Sequence, residues 1–255
     1  MHLKKTILAS SLASLLSSPT MAIVNMEDLH TGKPRDGFSG NVLLSLTSSS
    51  GNVDKEDYSV GSRLQWHREP RTQFLIFNAS YGKVDGVKNT QKTFLHLRHI
   101  EHLRERLAAE AYLQQDTNEF ARLDYRRLYG GGLRLTLLEE EQQGNIYLGL
   151  GAYHAQEKIS GDPPDAGKYS EWRASSYLIL TYQASANTVL ASTTYYQPKF
   201  GATSDYRALQ QAAARVRISD RLALVVSADY SFNSRPPEGV SKRETTYRTS
   251  LSVDF

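Results

Sequence analysis

The last nine residues, Tyr247-Arg-Thr-Ser-Leu-Ser-Val-Asp-Phe255, decide how this chain is read. Tyr247, Leu251, Val253 and Phe255 fall on one side of an extended segment, and Arg248, Ser250, Ser252 and Asp254 on the other. Successive side chains of a strand point to opposite faces, so this spacing describes a strand with one apolar and one polar face. Working backwards, the same period returns. Leu222, Leu224, Val226, Ala228, Tyr230 and Phe232 alternate with Ser227, Asp229 and Ser231. Leu133, Leu135 and Leu137 alternate with Arg134 and Thr136, and upstream of them Tyr125 and Tyr129 alternate with Asp124 and Arg126. Tyr58, Val60, Leu64 and Trp66 alternate with Asp57, Ser59, Arg63, Gln65 and His67. From Phe38 onward there are about twelve such segments of roughly ten residues, the length that crosses a bilayer at a tilt of about 45°. Two Ala-rich stretches, Leu107 to Gln115 and Tyr206 to Arg217, also suit a helix by propensity. They are read as strands because a helix would interrupt the meander.

The connections alternate in length. Short turns are expected at Arg68 to Arg71, Glu101 to Arg106, Glu139 to Gly144, Ser185 to Asn187 and Ser219 to Asp220. Longer loops are expected at Ser48 to Lys55, Val84 to Asn89, Asp116 to Ala121, Glu157 to Lys168, Pro198 to Ser204 and Ser234 to Lys242. The last and fourth of these hold Pro236-Pro237 and Pro163-Pro164, which cannot continue a sheet ladder. Alternation of this kind fits strands that cross a membrane with both termini on one side. In hydrocarbon every backbone N–H and C=O must pair internally, which among sheets only a closed barrel achieves. The expected fold is therefore all-β: a closed, antiparallel, up-and-down transmembrane β-barrel of about twelve strands over residues 37–255. Tyr58, Trp66, Tyr81, Tyr182, Tyr195 and Tyr230 sit near strand ends and are read as an aromatic girdle.

Composition agrees by exclusion. The 255 residues are 40% hydrophobic with a net charge of +3 and no cysteine. No apolar run is long enough for a membrane helix. Disulfide scaffolding, thiolate catalysis and Cys-ligated zinc are excluded. The charge is too nearly balanced to point to nucleic acid. Residues 1–22 read as a signal peptide: Lys4 and Lys5 precede a short apolar stretch from Thr6 to Leu16, and Thr20-Met21-Ala22 offers small residues for cleavage after Ala22. A short polar periplasmic leader, residues 23–36, is expected next.

Four stretches carry a family resemblance over nearly the whole mature chain. They are Gly37-Phe38-Ser39-Gly40 leading to Ser50-Gly51-Asn52, and Asp116-x3-Phe120-x2-Leu123-Asp124-Tyr125-Arg126 leading to Gly130-Gly131-Gly132-Leu133. The others are Tyr195-Tyr196-Gln197-Pro198 and Pro236-Pro237-x-Gly239. Together they resemble the salt-induced outer membrane protein family, with its YdiY-like domain of unknown function. The resemblance implies an outer-membrane β-barrel and no established activity. The strand Tyr247, Leu251, Val253 and Phe255, ending on an aromatic residue, likewise resembles the assembly signal of bacterial outer-membrane proteins.

The search for chemistry returns mostly exclusions. His96, His99 and His102 are spaced by three, which on a strand places His96 and His99 on opposite faces and unsuits them for chelation. Asp57, Ser59 and His67 share one face but are explained as well by packing as by a hydrolase triad. Gly130-Gly131-Gly132 has no following helix and is no dinucleotide fingerprint; in a strand it relieves crowding or sharpens curvature. No cofactor or metal is expected. The inward face is expected to carry Arg63, Glu110, Asp124, Arg126, Arg134, Arg173, Arg215, Arg217, Asp229 and Arg248. Such charges can pair across the lumen or line a narrow passage, and their arginine excess favours small anions if a passage is open. The leading expectation is a monomeric envelope barrel in the cell outer membrane. Its partners would be lipid and the outer-membrane assembly machinery, and it would have at most a narrow solute pore. The alternative is an outer-membrane enzyme acting on lipid or peptide.

Overall fold

The computed structural model describes residues 29, 31–51, 53–161 and 164–255. The signal peptide, the first half of the leader, Asn52 and Pro163 lie outside the described residues. Twelve strands form one closed antiparallel barrel in which each pairs with its neighbours in sequence, and the last with the first. They are β1 (Gly37–Ser49), β2 (Lys55–Arg68), β3 (Arg71–Val84), β4 (Val87–Arg104), β5 (Leu107–Asn118) and β6 (Leu123–Glu140). The second half comprises β7 (Gly144–Ile159), β8 (Gly167–Ser185), β9 (Thr188–Lys199), β10 (Ala202–Arg217), β11 (Leu222–Asn233) and β12 (Arg243–Asp254). Both Ala-rich stretches are strands, β5 and β10.

The strands run longer than the apolar alternation that reveals them. β5 continues to Asn118 and β7 to Ile159, into stretches expected as loop. β4 runs through His102 to Arg104. The connection expected at Val84 to Asn89 contracts to a two-residue Asp85-Gly86 turn with both residues at positive φ, the geometry that matches strand twist in a tight hairpin. Beyond the hydrocarbon layer both faces of a strand can be polar, so the ladder persists where the period-two signal fades.

Outward side chains form an apolar belt. Leu95, Leu97, Leu113, Leu133, Leu150, Leu224, Val226, Leu251 and Val253 are exposed. A contiguous apolar surface of this extent belongs against lipid. Tyr58, Tyr81, Tyr182 and Tyr230 are exposed on the same face. Tyr195 is not: it is buried inside, 5.3 Å from the Tyr177 ring. In β9 neither set of alternate residues is clearly apolar, since Leu190 and Tyr196 oppose Val189 and Tyr195. Period alone therefore does not fix its facing; the cross-strand pairing of Tyr195 with Tyr177 does.

The barrel closes through the C-terminus. Asn41 to Leu44 pair with Asp254 to Leu251. Gly40 N–H donates to the Phe255 carbonyl at 2.8 Å, and Phe255 N–H to the Gly40 carbonyl at 3.0 Å. Deleting Phe255 removes both bonds from a seam with few others. The expected result is a clear fall in folded yield, read as loss of the heat-modifiable band on gels; an unchanged yield would remove Phe255 from the closure.

Candidate functional site

The interior is more apolar than the alternation of charges suggests. Phe74, Ile76, Phe94, Ile100 and Ala108 form one buried cluster inside, and Tyr147, Tyr177, Ile179 and Tyr195 another. Between them lies Arg98 on β4, only 2% exposed. Its guanidinium carbon stands 5.7 Å from the Phe74 ring centre, 5.2 Å from Tyr112 and 5.5 Å from Tyr177. Arg98 Nη1 donates to Glu110 Oε2 at 3.4 Å, and the Tyr177 hydroxyl donates to the same oxygen at 2.7 Å. That last bond ties β8 to β5 through the interior. Arg98 Nε also donates to His96 Nε2 at 3.2 Å. Rings over a cation and a carboxylate at its edge satisfy a charge that could not otherwise remain in a packed interior.

Two glycines make room for these rings. A Cβ at Gly149 would lie 2.0 Å from the Tyr177 ring, and one at Gly130 would lie 2.3 Å from the Tyr112 ring. Gly130, the first of three consecutive glycines, thus lets an aromatic side chain lie flat across the neighbouring strand.

Below this waist the leader enters the barrel. Leu29 is buried against Ala213 and Val225, with Leu43 and Ala191 packed beside them. Gly32 N–H donates to Asn145 Oδ1 at 2.9 Å, and Asn145 Nδ2 donates back to the Gly32 carbonyl at 3.2 Å. The Thr31 hydroxyl donates to the Glu141 carbonyl at 2.7 Å. The leader's last residues are therefore docked across the end that carries the short turns.

Above the waist lies a cavity of about 340 Å³. Its wall is held by buried ion pairs. Arg207 grips Glu157 with both nitrogens, at 2.5 and 3.0 Å. Arg173 donates to Glu171 at 2.6 Å and to Asp205 at 2.7 Å. Lys199 meets Glu171 at 2.9 Å, and Arg126 meets Asp116 at 2.7 Å. The mouth is framed by the two long loops: Arg122 Nη1 donates to the Glu238 carbonyl at 2.9 Å, and Glu238 N–H donates to Asp165 Oδ2 at 2.7 Å.

The residues expected to face inward divide accordingly. Glu110, Arg134, Arg173, Arg215 and Asp229 are buried inside. Arg63, Arg126 and Arg248 are half-buried on the same wall. Arg134 stacks over the Tyr147 ring at 4.0 Å, and Arg215 pairs with Asp254. Asp124 and Arg217 are exposed instead. A bulge between Leu123 and Tyr125 interrupts the alternation, and Asp124 pairs at the rim with Lys158 at 2.8 Å. Arg217 projects past the end of β10 and donates to the Ala186 carbonyl at 2.9 Å. Asp57 and His67 lie at opposite ends of β2, so they are not brought together; His67 meets Thr72 at 2.7 Å. His96 is buried inside and His99 is half-buried on the opposite face, as their spacing requires. No group of three or more His, Asp or Glu able to hold a metal occurs among the described residues.

Arg98, Asp116, Glu157, Glu171, Asp205, Arg207 and Glu244 are among the interior residues that sequence reasoning missed. Arg98 was legible in part, since it shares the face of His96 opposite Leu95 and Leu97. Glu157 fell in a stretch expected as loop, and Glu171 and Asp205 lie just outside the alternating segments.

The fold and its belt define a membrane-spanning β-barrel. The chain belongs to the family described as "Protein of unknown function, DUF481", which matches residues 42–255. That description assigns no activity and no relation to salt. No curated protein matches the sequence. Among solved structures the barrel is similar to the NanC porin, with a TM-score of 0.52 at 8% identity over 85% of this chain and 99% of that one. It is also similar to the COG4313 outer membrane channel from Pseudomonas putida F1, with a TM-score of 0.49 at 14% identity over 88% of this chain and 96% of that one. These likenesses concern the fold.

Proposed function

We propose that this barrel sits in the outer membrane of a Gram-negative cell with its waist closed. It takes small polar solutes into the outward-facing cavity and passes at most a slender one. The observation that carries this reading is the burial of Arg98 among Phe74, Tyr112 and Tyr177, joined to Glu110. Leu29 supports it by filling the far end. The cavity wall and floor hold six cationic residues (Arg98, Arg126, Arg173, Lys199, Arg207, Arg235) against four acidic ones (Glu157, Asp165, Glu171, Asp205). Glu110 and Asp116, ion-paired to Arg98 and Arg126 just behind the lining, offset the two extra cations, so the cavity is close to neutral and suits small polar solutes.

The test is conductance of the refolded full chain in a planar bilayer. The protein as it stands should show no steady wide-pore current. Arg98→Ala combined with Tyr177→Ala should raise the current by removing the waist. A steady current of general-porin size from the unaltered protein would overturn the closed waist.

A further inference from the structure

The barrel wall is incomplete at one place. Around the rest of the circumference, neighbouring strands pair over ten or more residues; β1 and β12 pair over four. Their ladder stops at Leu44 and Leu251, although β1 stays paired with β2 to Ser49 and β12 with β11 down to Arg243. One contact crosses just above the break, from the Ser45 hydroxyl to the Thr249 carbonyl at 2.9 Å. A cavity of about 460 Å³ lies at this level. It is bounded by side chains from both faces of the wall. Ser45, Asp57, Lys92, Glu244 and Arg248 face the lumen, and Leu46, Tyr58 and Tyr247 face outward. Tyr247 is 80% exposed and Leu46 67%, on the lipid face.

We propose that this gap is a lateral portal between the lumen and the outer half of the bilayer, and that its occupant is a membrane amphiphile with an anionic head group. Three features fit that occupant. A strand edge with its ladder broken at the border of the hydrocarbon layer presents unpaired backbone polar groups, which an amphiphile's head group can meet. Tyr58 and Tyr247 set the opening at the depth of the lipid interface, where head groups lie. The cations at the lumen side are loosely held: Lys92 stands 3.7 Å from Glu244, and Arg248 stands 3.9 Å from Asp229. Both can reach a carboxylate or phosphate head while the acyl chain rests outside along Leu46 and Tyr247. The proposal requires the barrel to lie in a bilayer and is independent of whether the waist conducts.

The test uses the full chain refolded in phosphatidylcholine vesicles containing a palmitate with its photoreactive group next to the carboxylate, with crosslinks mapped by mass spectrometry. Crosslinks should appear on the lumen-facing residues Ser45, Thr246 and Arg248 as well as on the outer belt. The chain has no native cysteine, so Leu46→Cys with Thr249→Cys allows the seam to be bridged by a short bifunctional thiosulfonate and reopened by reductant. Bridging should abolish the lumen-facing crosslinks and leave those on the outer belt, and reduction should restore them. Lys92→Gln with Arg248→Gln should lower the lumen-facing yield about tenfold, the scale of losing a charge-assisted contact. Palmityl alcohol carrying the same photoreactive group should give little lumen-facing product. Crosslinks confined to the outer belt, or lumen-facing crosslinks that survive bridging, would overturn the portal. Equal labelling by the acid and the alcohol would overturn the anionic head group.

Discussion

Glu110→Leu should cost the barrel about 3–5 kcal/mol, the usual penalty for removing one partner from a buried ion pair. Arg98 and Glu110 are both almost fully buried, and Glu110 also accepts the Tyr177 hydroxyl bond at 2.7 Å. Without the carboxylate, the guanidinium keeps its aromatic neighbours and its bond to His96 but loses its countercharge. A positive charge in such a medium is costly, and the three rings offset only part of it. Arg98→Leu combined with Glu110→Leu removes both charges and should recover most of the loss, because apolar replacements of a buried pair are often close to neutral. Denaturant unfolding of the vesicle-embedded protein measures all the forms, with Trp66 and Trp172 as reporters. A Glu110→Leu cost below about 1 kcal/mol, the range of exposed pairs, would mean the waist is wet.

The waist and the belt were unequally legible in the sequence. Strand number, the facing of β11 and β12 and that of the leucine end of β6 follow from period-two alternation, because lipid favours apolar side chains on outward positions. Two connections expected as long loops, at Val84 to Asn89 and Pro198 to Ser204, are instead the two-residue turns Asp85-Gly86 and Phe200-Gly201. Glu110, Arg134, Arg173, Arg215 and Asp229 could be placed inside by the same rule. The interior itself answers to no such rule. Phe74 and Ile76 point inward although their neighbours Leu75 and Phe77 are just as apolar. The outward face of β3, Leu75, Phe77, Ala79 and Tyr81, was legible from the alternation; what lay hidden was that its inner face is apolar too.

The vestibule was hidden for a different reason. Glu157, Glu171 and Asp205 meet Arg173 and Arg207 only because β7, β8 and β10 extend beyond the segments whose hydrophobic period marks a strand. The docked leader was likewise invisible. Leu29 lies in a mostly polar stretch, and nothing local says that its partners are Ala213 and Val225 from the far end of the chain. The early end of the β1–β12 ladder has no signature either, since both strands keep their alternation past Leu44 and Leu251.

Leu135→Arg should destabilise the barrel by about 2–4 kcal/mol, the cost of an arginine on the lipid face near the bilayer midplane. Leu135 is exposed on the outward face of β6, opposite Leu107 on β5 and Leu148 on β7, so an arginine there has apolar neighbours on both sides. Arg134, one residue away, is buried and stacked over Tyr147 at 4.0 Å. The two positions differ in facing and hardly in depth, so their comparison isolates the effect of the lipid. Leu135→Gln should be milder than Leu135→Arg, because an uncharged amide is less costly to bury than a guanidinium. Arg134→Leu leaves the lipid face untouched, so its cost is the lost stacking on Tyr147 together with the other interior contacts of Arg134, and should fall below that of Leu135→Arg. Unfolding of each variant in vesicles gives the order directly. If Leu135→Arg were tolerated and Arg134→Leu were the more damaging, β6 would have to be shifted by one residue, since a one-residue slip exchanges the two faces of a strand entirely.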